Sequence, residues 1–372
     1  MLNKRVFSLF SATSLALLLS MSVLAELAQN DPLPRANDRP LEALPGVTTF
    51  YGSVEVETGV RLRTLLSKPS NASKPLHALL FSQWVSCGSL ELKKDSRSIL
   101  AQLARESGLA LLRVERAGSG DSQGPGCDQL DYDTEVRHYI RAYEQLLKDP
   151  RIDASKVYVY GSSLGSTTAP LIAASLQDKG YNIEGIVVQG GGALTHVERM
   201  INFDRFYLER RPNAVDRASI QQQMNDRILF QTEYLIKGRH PDEIAKDSHA
   251  MKAVRDDTRG MSDDNHYGRP FSWHQQAAQR NFLQAWASID AKALVIFNEL
   301  EQFETLHGHR LIVDTMNRRS PGSAELLVQK GLGHSSWRFE SLEEAYADEV
   351  GVADPETTAK AIISWLKAIQ NE

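Results

Sequence analysis

The run Gly161-Ser162-Ser163-Leu164-Gly165 is where chemistry is most legible in this chain. It follows the apolar run Lys156-Val-Tyr-Val-Tyr160 and leads into a helix-like stretch, Ser166 to Gln177. Strand, G-x-S-x-G and helix in that order hold a serine on strained backbone, its hydroxyl projecting above a sheet edge. The two glycines remove side chains where strand and helix must approach closely. A Ser/Gly-rich turn without chemistry is the plain alternative, and the flanking elements favour the chemical one. A serine hydroxyl is a poor nucleophile until a base takes its proton. Imidazole does this near neutral pH, and a carboxylate fixes its tautomer and stabilises its charged form. Ser163 therefore needs a histidine and an acid, and the chain holds ten histidines.

The elements that must position these groups alternate along the chain. Residues 50–67 pattern as a hairpin, Tyr51 to Glu57 and Val60 to Ser67, with Thr58-Gly59 as the turn. Strand-like runs follow at His77–Phe81, Leu109–Val114, Gly185–Gln189, Ala293–Phe297 and Ala324–Gln329. Helical stripes lie between and after them. Over 134–148, Val136, Tyr139, Ile140, Tyr143, Leu146 and Leu147 recur at three- and four-residue steps; over 356–370, Ile362, Trp365, Leu366 and Ile369 do the same. Both stripes read as core packing. The alternation predicts a mostly parallel sheet covered on both faces. Residues 195–285 break the rhythm, with many Arg, Gln, Asp and Met and no convincing buried strand.

Several landmarks fall in a telling order. Arg116-Ala-Gly-Ser-Gly-Asp-Ser122 follows a strand, then come the serine turn, the long insertion, a strand ending near acids, and Gly331-Leu-Gly-His334. In this the chain resembles the α/β-hydrolase family from about Phe50 to its C-terminus. The resemblance implies an α/β-hydrolase fold: a mostly parallel eight-stranded sheet with helices on both faces. Its core would be residues 50–194 and 286–372, with 195–285 as an inserted helical cap over the active site. It places the base at His334, in the loop ahead of the last helix, and the acid just past the strand ending at Phe297. Glu301 aligns with the acid position; Glu299 and Glu304 are rivals. The oxyanion of an acyl-transfer intermediate needs backbone donors. The resemblance assigns these to Leu164, directly after the nucleophile, and to Val85, if Gln83-Trp84 replaces the family's His-Gly. Trp84 can instead wall the acyl pocket, and Tyr267 and Trp273 of the cap are further candidates for substrate contact. No metal or organic cofactor is implied. His307-Gly-His309 resembles a metal pair without further ligands nearby and reads as the surface start of a helix. His266 and His274 read as solvent-exposed.

The first 25 residues pattern as a secretory signal. Lys4 and Arg5 lead an apolar stretch to Val23, and Val23-Leu24-Ala25 offers a small-residue cleavage site. The alternative is a membrane anchor, since the stretch approaches spanning length. No later stretch is apolar enough to span a bilayer. Residues 26–49 form an extended lead-in, proline-bearing, with little periodicity and open to disorder. The formal charge of −5 becomes −7 without Lys4 and Arg5. No basic run suggests nucleic acid. Cys87 and Cys127 make an even pair in an exported chain. In the fold the resemblance implies, their loops leave one sheet edge side by side, so a disulfide between them is expected.

The expected function is a periplasmic or secreted serine hydrolase. It would cleave a small-molecule carboxylic ester through an acyl-enzyme, with Ser163 as nucleophile, His334 as base and Glu301 as its orienting acid. A proline-type aminopeptidase acting on a short peptide is the alternative; it would need acidic cap residues such as Asp263-Asp264 to hold the substrate amine. An acyltransferase shares the same triad. Dehalogenase and epoxide-hydrolase chemistry is disfavoured, because those families put aspartate where Ser163 stands. A non-catalytic binding protein on the same fold is the alternative of another class.

Overall fold

A computed structural model describes residues 33–36, 40–211, 216–347 and 351–371. The expected signal at 1–25 lies outside the described residues. Two antiparallel strands, β1 (Val47–Glu57) and β2 (Val60–Pro69), open the sheet. Then β3 (Leu76–Ser82), α1 (Ile99–Glu106), β4 (Ala110–Val114), α2 (Tyr132–Leu146), β5 (Ile152–Ser162), α3 (Gly165–Asp178) and β6 (Ile183–Gln189) alternate. The middle strands are nearly all apolar because helices bury them on both faces; every residue of β4 is buried.

The inserted segment follows β6. It comprises α4 (His196–Arg210), α5 (Arg217–Gln231), a π-helical turn (Thr232–Ile236), α6 (Pro241–Ala245), α7 (His249–Asp257), the two-residue strands β7 (Asn265–His266) and β8 (Arg269–Pro270), and α8 (Phe271–Ala278). A capping box at Thr195 and Glu198 starts α4. The segment has its own core, in which Met200, Phe203, Phe230, Tyr234, Met251, Val254 and Phe271 pack together. The chain then returns to the sheet through α9 (Phe282–Ser288), whose Trp286 packs into the main core. It continues with β9 (Lys292–Leu300), α10 (Leu306–Arg319), β10 (Ala324–Gly333), β11 (Trp337–Arg338), α11 (Leu342–Tyr346), β12 (Val352–Ala353) and α12 (Pro355–Gln370).

Strand order is β1-β2-β4-β3-β5-β6-β9-β10-β11-β12, with β4 through β10 parallel to one another. The expected eight strands are extended by the two-residue pieces β11 and β12. One face packs against α2, α3, α9 and α10 through residues such as Tyr139, Ile172, Trp286 and Met316. The other packs against α1 and α12 through Leu100, Leu103, Ile362 and Leu366. Register brings the carboxyl ends of the strands together: Ser82 pairs with Gly161, Ser162 with Gln189, and Gly333 with Leu300. Ligands in open α/β sheets bind at such strand ends.

The described part of the lead-in packs against the domain. Leu33 and Leu44 are buried. The Arg113 guanidinium donates to both Glu42 carboxylate oxygens, at 2.7 and 3.0 Å, and Arg35 pairs with Glu91 and Asp121, each at 2.6 Å. Proline content hid this, because buried charge partners far along the chain leave no local periodicity.

Candidate active site

Ser163 sits where β5 gives way to α3, at φ +53°, a backbone region that side chains other than glycine rarely adopt. Its N–H donates to the Gln189 carbonyl at 2.8 Å, which ties the turn to the end of β6. The flanking glycines are required by contact. A Cβ on Gly165 would stand 1.9 Å from the Ser82 carbonyl oxygen, and one on Gly161 would stand 2.5 Å from the Gly165 oxygen.

The turn aims Ser163 at the loop after β10. Ser163 Oγ lies 2.7 Å from His334 Nε2, and His334 Nδ1 lies 2.7 Å from Glu301 Oε1. The network assigns the tautomer: Nδ1–H donates to the carboxylate and Nε2 faces the hydroxyl. Glu301 also accepts the Phe303 N–H at 2.9 Å, and the Phe303 ring meets the His334 imidazole edge-to-face at 4.6 Å. Gln302 accepts the His334 N–H at 2.9 Å, and the Gln189 amide donates to the His334 carbonyl at 3.1 Å. Glu299 is exposed and accepts from the Gly331 N–H, while Glu304 pairs with Arg199. Of the three carboxylates, Glu301 is the one beside the imidazole.

Opposite Ser163, the loop after β3 is braced from beneath. Gln83 is buried and donates to the Ser86 and Gly88 carbonyls at 3.3 and 3.0 Å. Arg116 donates to the Ser86 carbonyl at 2.6 Å and also to the Gln83 and Trp84 carbonyls. These two side chains hold the path of the loop.

No protein-family model and no curated protein sequence matches the chain. Solved structures do. An esterase of Pyrococcus furiosus superposes with a TM-score of 0.51 at 14% identity, over 91% of this chain and 97% of that one. Est1E of Butyrivibrio proteoclasticus, solved with ferulic acid bound, gives 0.53 at 11% identity over 86% and 99%. The α/β hydrolase GrgF from Penicillium sp. sh18 gives 0.50 at 16% identity over 87% and 100%. The chain has the α/β-hydrolase fold.

In this α/β-hydrolase fold, Ser163 and His334 open onto a cavity of about 780 Å³. Its walls come from three apolar groups: Phe81, Leu90, Leu92 and Leu100 beside the sheet, Met200 and Phe203 of the inserted segment, and Leu164 with Val85. Leu164, Val85 and Trp84 thus share one cavity with the serine. Tyr267 lines it too, at φ +53°, with its hydroxyl buried and unpartnered. Trp273 reaches the wall but is fully buried, and its indole N–H donates to Glu135 at 2.9 Å. That hydrogen bond makes it first a packing residue between the insertion and α2.

Electrostatics suit a base at His334. Burial opposes its protonation, but the charge and hydrogen bond of Glu301 outweigh that and hold the imidazole above its ordinary range. Burial likewise pushes Glu301 up, and the imidazole overcomes it, so the carboxyl titrates below its ordinary value.

Cys87 and Cys127 are joined, with Cα atoms 5.9 Å apart. Arg269 of the insertion lies on this bridge, 2.6 Å from the Cys127 sulfur, and pairs with Glu135, which also holds Arg116. Other expectations are corrected. His266 and His274 are buried rather than exposed, their rings meeting at 4.5 Å, tilted by 32°, among the insertion's elements. His309 is also buried; its imidazole Nδ1 lies 2.8 Å from the Thr305 carbonyl, one turn back, while His307 is exposed. Asp263 is exposed and pairs with Arg255 at 3.0 Å, and neither it nor Asp264 reaches the cavity wall. Among the described residues no three His, Cys, Asp or Glu side chains are grouped to hold a metal ion, and no helix is long and apolar enough to cross a membrane. Sequence reasoning gave no role to Gln189, Gln302 and Arg199, and placed Gln83 in the loop without its bracing role. Only Arg116 carried a signal, as the first residue of its glycine-rich turn.

Proposed function

We propose that this chain is an exported serine hydrolase that cleaves carboxylic esters through an acyl-enzyme. The observation that carries the reading is the unbroken relay from Ser163 Oγ through His334 to the buried Glu301, at 2.7 Å for each link. Ser163 Oγ attacks the acyl carbon as its proton passes to His334 Nε2. The alcohol leaves with that proton. Water then attacks the acyl-serine, losing a proton to the same nitrogen, and the acid departs as Ser163 regains its hydrogen. The N–H groups of Leu164 and Val85 would hold the oxyanion. Glu301 orients the imidazole and stabilises its charged form. Apolar walls and a sizeable cavity favour an ester with a substantial hydrocarbon acyl or alcohol part. Residues 195–285 act as the cap, with Met200, Phe203 and Tyr267 choosing among chain lengths. The neighbours named as esterases support ester over amide. Export rests on the Lys4-Arg5 start, the apolar run and the disulfide.

The aminopeptidase alternative needs a free carboxylate in the cavity for the substrate amine. Asp263 and Asp264 lie outside it, Glu304 is held by Arg199, and Glu91 is held by Arg35 and Arg63. The test is the purified protein assayed on p-nitrophenyl esters of graded chain length beside aminoacyl anilides, with a fluorophosphonate probe in parallel. Ester turnover and labelling at Ser163 are expected. Anilide turnover without ester turnover would replace the reading with the peptidase, and labelling failure would leave a binding protein.

A further inference from the structure

A buried ion pair stands in the cavity wall beside the triad, and the reaction steps above do not use it. Arg199 lies in the second turn of α4, in the insertion; Glu304 lies in the loop after β9 that also carries Glu301. Arg199 Nε donates to Glu304 Oε1 at 2.6 Å, and Nη2 reaches the same oxygen. The Glu304 side chain is 2% exposed and that of Arg199 12%. The second oxygen of Glu304 and Nη1 of Arg199 are buried without hydrogen-bond partners. A buried pair left half-satisfied is poor value as a stabilising device, since desolvating two charges costs more than an incomplete geometry returns. Its position explains it better. Both residues line the cavity with Ser163 and His334.

We propose that Arg199 and Glu304 are positioning residues for the triad: the cap cation neutralises the second carboxylate near His334, so that the imidazole responds to Glu301 alone. The inference rests on the hydrolase reading of the site. Glu304 by itself favours the protonated imidazole and Arg199 by itself disfavours it, and the two oppose one another. Titratable groups packed around the triad include His309 on α10, which interacts with Glu301 and Glu304, His196 on α4, which interacts with Arg199, and Tyr346 on α11, which interacts with Glu301 and with Arg210 and Arg259. His196 and His309 are held uncharged by burial and Tyr346 is held protonated, and the charges that act on the imidazole are those of Glu301, Glu304 and Arg199. Because Arg199 comes from the cap and Glu304 from the triad loop, the pair also ties cap position to the state of the base.

The test is the acid limb of the pH profile, read both as kcat/KM on an ester and as the rate of fluorophosphonate labelling. E304Q leaves a permanent cation near the imidazole, since guanidinium does not deprotonate in proteins. The limb should then move to lower pH by about half a unit or more. R199M/E304Q removes both charges and should return the limb to the wild-type position. E304D, which keeps the charge, should leave it there. An unmoved limb in E304Q, or a double variant that keeps the E304Q shift, overturns the proposal. Should E304Q fail to fold, R199Q is the mirror test: its limb moves to higher pH, and a limb at or below the wild-type position overturns the proposal. Wild-type protein that the probe does not label would overturn the hydrolase reading and this inference with it. Normal wild-type labelling with an unmoved E304Q limb overturns the inference alone.

Discussion

Gly190 lies against His334: a Cβ on Gly190 would stand 3.0 Å from Cε1 and 3.2 Å from Nδ1 of the imidazole. The imidazole takes its place beside Glu301 only because Gly190 carries no side chain. Gly190 also has φ +71°, so alanine there is strained as well as crowded. Gly190→Ala should cost about 1–2 kcal/mol of stability. It should also lower kcat about tenfold or more by displacing the ring, since small misplacements of catalytic groups are costly. Circular dichroism melting and steady-state kinetics check both. Unchanged kcat would mean that the ring tolerates the methyl.

Ser163→Gly separates chemistry from strain. Glycine adopts φ +53° freely, so the variant should be inactive and unlabelled yet more stable than the parent by about 1 kcal/mol. Ser163→Ala should be equally inactive without that gain. Labelling that survives at Ser163→Ala and disappears at Ser162→Ala would move the nucleophile by one residue.

Activity should rise with pH through the titration of His334. The base works only when neutral, and Glu301 holds it above the ordinary histidine value of 6.5. The acid limb of kcat/KM therefore lies above pH 6.5. Glu301→Gln removes that charge, so the limb should move down while kcat falls about 10³-fold or more, as the tautomer is no longer fixed. Glu299→Gln should leave both unchanged. A larger loss in Glu299→Gln than in Glu301→Gln would overturn the assignment of the acid.

The inserted segment should be acid-labile. His196, His266 and His274 are buried in a chain of contacts: His196 Nε2 lies 3.1 Å from His274 Nδ1, and His274 Nε2 lies 2.8 Å from the His266 carbonyl. Burial holds all three uncharged, with His266 pushed down to about 4 and the others well below the ordinary range. The unfolded chain takes up protons near pH 6.5 that the folded chain does not. Their contribution is therefore complete above about pH 6.5 and is lost as pH falls toward 4. Thermal melts from pH 7.5 to 4.5 should show a falling midpoint, with a shallower fall in His266→Gln. Equal slopes for the two proteins would remove His266 from the account.

Cys87→Ala/Cys127→Ala should lose about 2–4 kcal/mol, as expected for a bridge closing a loop of this length, 40 residues. The same change frees the loop that carries Val85 and removes the surface on which Arg269 sits, so kcat should fall too. Urea unfolding and ester kinetics on the oxidised parent and the double variant decide it. A loss below about 1 kcal/mol would show that Arg116 and Gln83 brace the loop unaided.

The sequence by itself determined what local rules govern. Period-two and period-three-to-four patterns marked the strands and helices, and the expected helix over 134–148 is Tyr132–Leu146 in the structure. Gly161-Ser162-Ser163-Leu164-Gly165 announced the strained turn, because strain at one residue and close approach at two others leave residues of fixed type at fixed spacing. His334 was legible through its order along the chain, directly after the strand that ends at Gly333. What only the tertiary structure decided are meetings between distant segments. Glu299, Glu301 and Glu304 are chemically equal in sequence; the path of the loop after β9 points one at His334, one at solvent and one at Arg199. His266 and His274 look like polar loop residues until neighbouring elements bury them. Gln83, Arg116, Glu135 and Arg269 form one brace from four separate segments, and no spacing rule joins them. Hydrogen bonds and charge pairs across a sheet edge depend on where chains cross in space, so single residues carry no periodic trace of them.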